Sequence, residues 1–67
     1  MLKDKNGVVI EMGMDIEMPE PTSRDMWNFD FVGTVDSIDE ETKLVTVVDG
    51  DGDYFQIESS RAEIYSE

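Results

Sequence analysis

The chain has no cysteine and no histidine. Those absences exclude disulfide staples, thiolate and imidazole metal sites, thiol nucleophiles, and the general base that ordinarily titrates near neutral pH. Basic residues are scarce. Five stand against seventeen acids, giving a formal charge of −12, and the imbalance deepens along the chain: residues 1–33 hold seven acids and three bases, residues 34–67 ten and two. So negative a surface repels phosphate backbones and anionic lipid, which argues against direct nucleic-acid binding. No apolar run approaches the roughly 20 residues of a membrane span, and the opening MLKDKNGVVIEM carries no signal-like apolar stretch, so a cytoplasmic protein free of the membrane is expected. Proline occurs twice, at positions 19 and 21, which leaves the rest of the chain open to regular structure.

What is present is alternation. In VVIEMGMDIEMPEP the residues Val8, Ile10, Met12, Met14, Ile16 and Met18 share one parity, while Glu11, Gly13, Asp15 and Glu17 share the other. Helical spacing would scatter the apolar set around a cylinder, whereas a strand gathers it on one face. A first strand is expected from Val8 to Met18, about 36 Å long at about 3.3 Å per residue, with Gly13 as its bending point. The segment PEPTSRD, residues 19–25, reads as a polar excursion. MWNFDFVGTVDSID then reads as a second strand with Trp27, Phe29, Phe31, Gly33 and Val35 inward; a parity change before Ile38 places a bulge near Asp36 and Ser37. DEET, Asp39 to Thr42, is a turn. KLVTVV, DGDGD and YFQIES form a hairpin, and a loop of Gly50, Asp51 and Gly52 sets Val47 against Phe55 and Val45 against Ile57, sorting core from surface. SSRAEIY supplies a short turn and a last strand through Ile64.

Sixty-seven residues allow one domain with one small core, residues 1–67 as a unit. Ordering them costs on the order of 100 kcal/mol at roughly 1.5 kcal/mol each, so burial must be efficient without staples. The 39% apolar content lies in periodic runs, which points to a folded domain rather than a disordered polyanion.

The order of these elements, with FVGTVDSI, LVTVVDGDGDYFQIE and the SSRAEI turn, resembles the SH3-like small β-barrel, the architecture of Tudor and KOW-type modules. The resemblance implies an all-β, five-stranded barrel with a long loop after its first strand and a tight hairpin at residues 50–52. More loosely, the chain is similar to small acidic proteins of bacteria and their phages or mobile elements. It departs from the functional families in three ways. The ALYDY stretch that lines a proline-peptide groove has no counterpart. KOW modules that hold RNA tend to be basic, and this chain is acidic. A Tudor-type cage would draw on Trp27, Phe29, Phe31, Tyr54, Phe55 and Tyr65, most of which the alternation assigns to the core.

One motif invites a chemical reading. DGDGD, Asp49 to Asp53, begins like an EF-hand loop, but Tyr54 stands where that loop needs glycine and Ser60 where it needs a bidentate glutamate. A hairpin tip is the better reading, with millimolar attraction of calcium to clustered carboxylates as the alternative. No nucleophile-and-base pair, phosphate loop or metal spacing occurs, so neither catalysis nor a cofactor or metal is expected. Trp27, at the start of the second strand, either caps the core or meets a partner, with capping favoured. Arg24 and Arg61 read as solvated or paired with acids.

Two functions follow. The first is a non-catalytic interaction module or accessory subunit that binds a protein with a basic surface through a sheet edge or the surface near Trp27 and Tyr54. The second is an inhibitor imitating nucleic acid, with Glu11, Asp15 and Glu17 on one strand face and neighbours two residues apart spaced about 6.7 Å, close to twice the rise of a DNA strand. The long first strand permits self-pairing, which the formal charge of −12 opposes.

Overall fold

The hairpin forms as its sequence dictates. In a computed structural model that describes residues 1–66, the strands Leu44–Val48 and Tyr54–Glu58 pair with Val47 opposite Phe55 and Val45 opposite Ile57. Gly52 sits at φ +85°, the left-handed position that closes a three-residue loop and that a Cβ would strain. Asp49 Oδ1 accepts the N–H groups of Asp51 and Asp53, each at 2.9 Å, so the first aspartate of DGDGD holds the turn together.

Numbered along the chain, the strands are β1 (Asp15–Met18), β2 (Phe31–Asp39), β3 (Leu44–Val48), β4 (Tyr54–Glu58) and β5 (Glu63–Ile64), with one 3₁₀ turn, Ser59–Arg61, before β5. All neighbours are antiparallel, in the order β4-β3-β2-β1-β5. The register between β2 and β3 slips between Val35 and Ser37, a bulge at the place where the apolar parity changes. Ahead of the bulge Gly33 and Val35 face the core; beyond it Ile38, on the opposite parity, packs against the same core. Gly33 is tightly packed: a Cβ there would lie 3.2 Å from the Phe31 ring and from Val47, so those side chains would have to give by a few tenths of an ångström.

Three expectations need correction. The first strand is not continuous from Val8. Gly13 takes φ +85° in a turn, β1 begins only at Asp15, and Val8 and Met12 are exposed; only residues 15–18 have a partner strand on β2. The second strand starts at Phe31 rather than near Trp27, and Phe29 turns outward at 69% exposure. The expected barrel is not closed: among the described residues β4 pairs with β3 alone and β5 with β1 alone, leaving one open five-stranded sheet.

The core comprises Ile16 and Met18 of β1, Val35 of β2, Val45 and Val47 of β3 and Ile57 of β4, closed by Leu2, Ile10, Trp27 and Ala62 from flanking segments. Leu2 and Ile10 enter it through a small amino-terminal hairpin around Asn6–Gly7, with a Lys3–Val9 bridge and an Ile10 N–H to Leu2 carbonyl bond of 2.9 Å. That hairpin packs along the outer edge of β5. Lys5 N–H bonds to the Ala62 carbonyl at 2.8 Å, and the Ile64 N–H donates to Asp4 Oδ2 at 2.9 Å. Asp4 is 6% exposed, and its Oδ1 also accepts from Asn6 and Val8. Burial pushes the Asp4 carboxyl up, but the three backbone donors outweigh it and hold the group below its ordinary value. Among the described residues no helix is long and apolar enough to cross a membrane.

Candidate functional site

The excursion between β1 and β2 is fixed rather than loose. Pro19 and Pro21 remove two donors and preset the backbone. Asp25 Oδ2 accepts both the N–H of Thr22, at 2.8 Å, and its hydroxyl, at 3.1 Å, closing a local turn. The same carboxylate meets Arg61 in a two-pronged pair, Nη1 to Oδ1 at 3.0 Å and Nη2 to Oδ2 at 2.8 Å. The Arg61 guanidinium beside it, joined by the Thr22 N–H, holds the Asp25 carboxyl well below the usual carboxylate range. Asp25 in turn raises the Arg61 pKa. Arg61 also lies over the Trp27 ring, 5.8 Å from its centroid, and Trp27 Nε1 donates to the Pro19 carbonyl at 2.9 Å. Trp27 meets Phe55 edge-on, with centroids 6.4 Å apart, and Phe55 meets Phe31 at 5.3 Å.

This scaffold presents apolar groups to solvent. Met26 is 82% exposed and lies beside the buried Trp27; Phe29 and Val32 are also exposed. They face the hairpin tip across a cleft of about 360 Å³, whose apolar wall is Met26, Trp27, Phe29, Phe31, Val32 and Phe55 and whose rim carries Asp49, Asp51 and Asp53. A second, broader depression of about 670 Å³ runs along β4 between Met26 and Trp27 on one side and Tyr54, Gln56 and Glu58 on the other. Met26, Trp27 and Phe55 border both, so the two form one continuous surface. An apolar patch rimmed by like charge favours a ligand that is itself apolar and cationic.

The residues singled out from sequence are dispersed. Trp27 is 4% exposed: it caps the core and borders the cleft with little surface. Tyr54 is exposed on the outer face of β4, bordering the second depression. Asp15 and Glu17 are exposed side by side on β1, opposite Thr34 and Val32, and Asp15 accepts the Thr34 hydroxyl at 3.2 Å. Glu11 stands before the turn at Gly13 and outside β1, so the structure does not bring the three carboxylates into one strand row. Glu17 instead faces Glu63 across β5, where Lys5 Nζ reaches Glu63 at 2.8 Å. At the DGDGD tip, among the described residues, no three acidic side chains gather as cation ligands.

Sequence reasoning missed Met26 and Phe29, which alternation places elsewhere, and it missed the Asp25–Arg61 pair, 36 residues apart along the chain. A signal for the amino-terminal hairpin was present in DKNG, an aspartate ahead of Asn-Gly. Comparison of the chain with family models, with curated proteins and with solved structures finds no match.

Proposed function

We propose that this protein is a non-catalytic interaction module, and that the surface around Met26, between the Asp49–Asp53 tip and β4, docks a protein segment bearing basic and apolar side chains. The observation that carries the reading is the exposure of Met26, Phe29 and Val32 together beside three aspartates, on a loop held by the Asp25–Arg61 pair and by Trp27. Exposing such groups on a fixed platform favours association, because little further ordering is needed when a partner arrives. Among the described residues, the two carboxylates whose ionisation is displaced, Asp4 and Asp25, are both pushed down and both engaged in structural bonds, which supports a non-catalytic role. The strand order, the bulge that divides β2 between β1 and β3, and the 3₁₀ turn ahead of β5 support an SH3-like strand arrangement, here as an open sheet.

Affinity capture with the full chain, at low and at high salt and with competitor DNA, tests the reading against the nucleic-acid-mimic alternative. A docking module retains one defined basic protein that DNA does not displace and that Phe29→Ser loses. Recovery of assorted nucleic-acid-binding proteins, displaced by DNA and indifferent to Phe29→Ser, would establish the mimic instead.

A further inference from the structure

The two edges of the sheet are treated differently. Along the β5 edge the amino-terminal hairpin takes up outward groups: the Ala62 carbonyl, just ahead of β5, accepts Lys5 N–H, and the Ile64 N–H donates to the Asp4 carboxylate. On β4 they are bare. The bonds Asp49 N–H to Asp53 carbonyl and Ser59 N–H to Lys43 carbonyl fix the hydrogen-bonded positions of the β3–β4 ladder at the odd-numbered residues. Antiparallel pairing alternates, so the N–H and C=O groups of Tyr54, Gln56 and Glu58 point away from β3, and among the described residues no backbone bond reaches them. Such an edge is a template for another chain unless it is blunted. Of the usual blunting devices, proline, lysine and a bulge are missing from Tyr54–Glu58.

We infer that the partner of this module binds as an added strand along β4, in extended conformation, with apolar and basic residues alternating. The inference rests on the docking reading above and names its mode. A strand laid beside β4 sends alternate side chains to opposite faces. On the Phe55 side they meet Met26 and Trp27, and on the other Tyr54, Gln56 and Glu58, all of which border the second depression. Apolar residues fit the first set and basic residues the second, where Glu58 is exposed. A second copy of this chain is the poorer occupant, since each copy brings a charge of −12.

The probe is a capped seven-residue peptide alternating lysine with valine, compared with a glutamate-valine counterpart and with a lysine-valine peptide N-methylated on the edge that would face β4. Amide hydrogen exchange and chemical-shift changes are read by NMR on the full chain, at low salt. The lysine-valine peptide is expected to slow exchange at Tyr54, Gln56 and Glu58 at least tenfold, and the other two peptides to leave it unchanged. Gln56→Pro, which removes one outward donor and no bond to β3, is expected to abolish that protection while Gln56→Ala retains it; the N-methylated peptide gives the same discrimination should the proline variant misfold. Shifts at Met26 and Phe29 with unchanged edge exchange would overturn strand addition and leave the docking surface standing. Protection that grows with protein concentration alone would assign the edge to a second copy and overturn the occupant. No response to the lysine-valine peptide anywhere would overturn both the inference and the reading beneath it.

Discussion

Replacing Asp4 by asparagine is the sharpest test of how this small sheet is held. The Asp4 carboxylate is the junction of the amino-terminal hairpin and β5: Oδ1 takes N–H bonds of 2.9 and 2.8 Å from Asn6 and Val8, and Oδ2 one of 2.9 Å from Ile64. Asparagine keeps the shape and one acceptor oxygen. Whichever way its amide turns, the NH₂ group meets at least one backbone N–H, so a donor is left facing a donor in a site that is 6% exposed. Hydrogen bonds to charged groups contribute about 1.5–3 kcal/mol, and losing at least one should cost about 2 kcal/mol. A chain of this size has roughly 3–10 kcal/mol of total stability. The melting temperature should therefore fall by about 10 °C, at about 4–8 °C per kcal/mol for a small domain. The pH dependence follows from the lowered folded pKa of Asp4. A carboxyl held below its ordinary 3.8 contributes stability that is fully present above that value and lost as the pH falls through the lower folded one. The gap between wild type and Asp4→Asn, followed by circular dichroism, should be full at pH 7 and narrow below about pH 3.8. A variant melting within about 2 °C of wild type at pH 7, on the same small-domain scaling, or a gap that widens in acid, would refute the reasoning.

Other substitutions probe separate parts of the account. Gly33→Ala forces a methyl against Phe31 and Val47 at 3.2 Å and should cost about 1–3 kcal/mol as overpacking, checked by urea unfolding; a neutral result would mean that the sheet yields there. Gly52→Ala places a Cβ at φ +85° and should cost about 1 kcal/mol with unchanged affinity for a docked peptide, separating loop strain from function. Arg61→Ala should free the 19–27 segment, so that Trp27 fluorescence shifts to the red and becomes more accessible to acrylamide; an unchanged spectrum would show that the Pro19 bond alone anchors the indole. Adding millimolar calcium should leave the melting temperature unchanged, since Asp49 Oδ1 already accepts two backbone N–H groups; a rise that saturates with calcium would mark the tip as an ion site.

The legible parts of this fold are those where neighbouring residues decide the outcome. The β3–β4 register follows from Val45, Val47, Phe55 and Ile57 sharing a face and from glycine at the left-handed loop position, all within 13 residues. The bulge near Asp36 is written in the parity change before Ile38. Alternation failed where it had no information about partners. Met12 and Val8 keep the beat of Ile16 and Met18, but the turn at Gly13 takes the chain away from β2 before it reaches them. Phe29 likewise keeps the parity of Phe31 yet lies ahead of β2, outside the sheet, and is exposed. Asp4 was hidden among seventeen acids because its decisive partner, Ile64, is 60 residues away. Which edge of the sheet is bare is legible only once the amino-terminal hairpin is seen lying along β5.

The central claim is that an apolar, acid-rimmed surface around Met26 and Phe29 docks a basic segment. The most direct measurement is the affinity of a fluorescent lysine-valine peptide for wild type and for the Met26→Ala, Phe29→Ala double variant, by anisotropy at low salt. Burying side chains of this size contributes about 1.5–3 kcal/mol each, so the double variant should lose at least tenfold in affinity while melting as wild type does, because both residues are exposed in the free protein. Equal affinities for the two proteins would contradict the account.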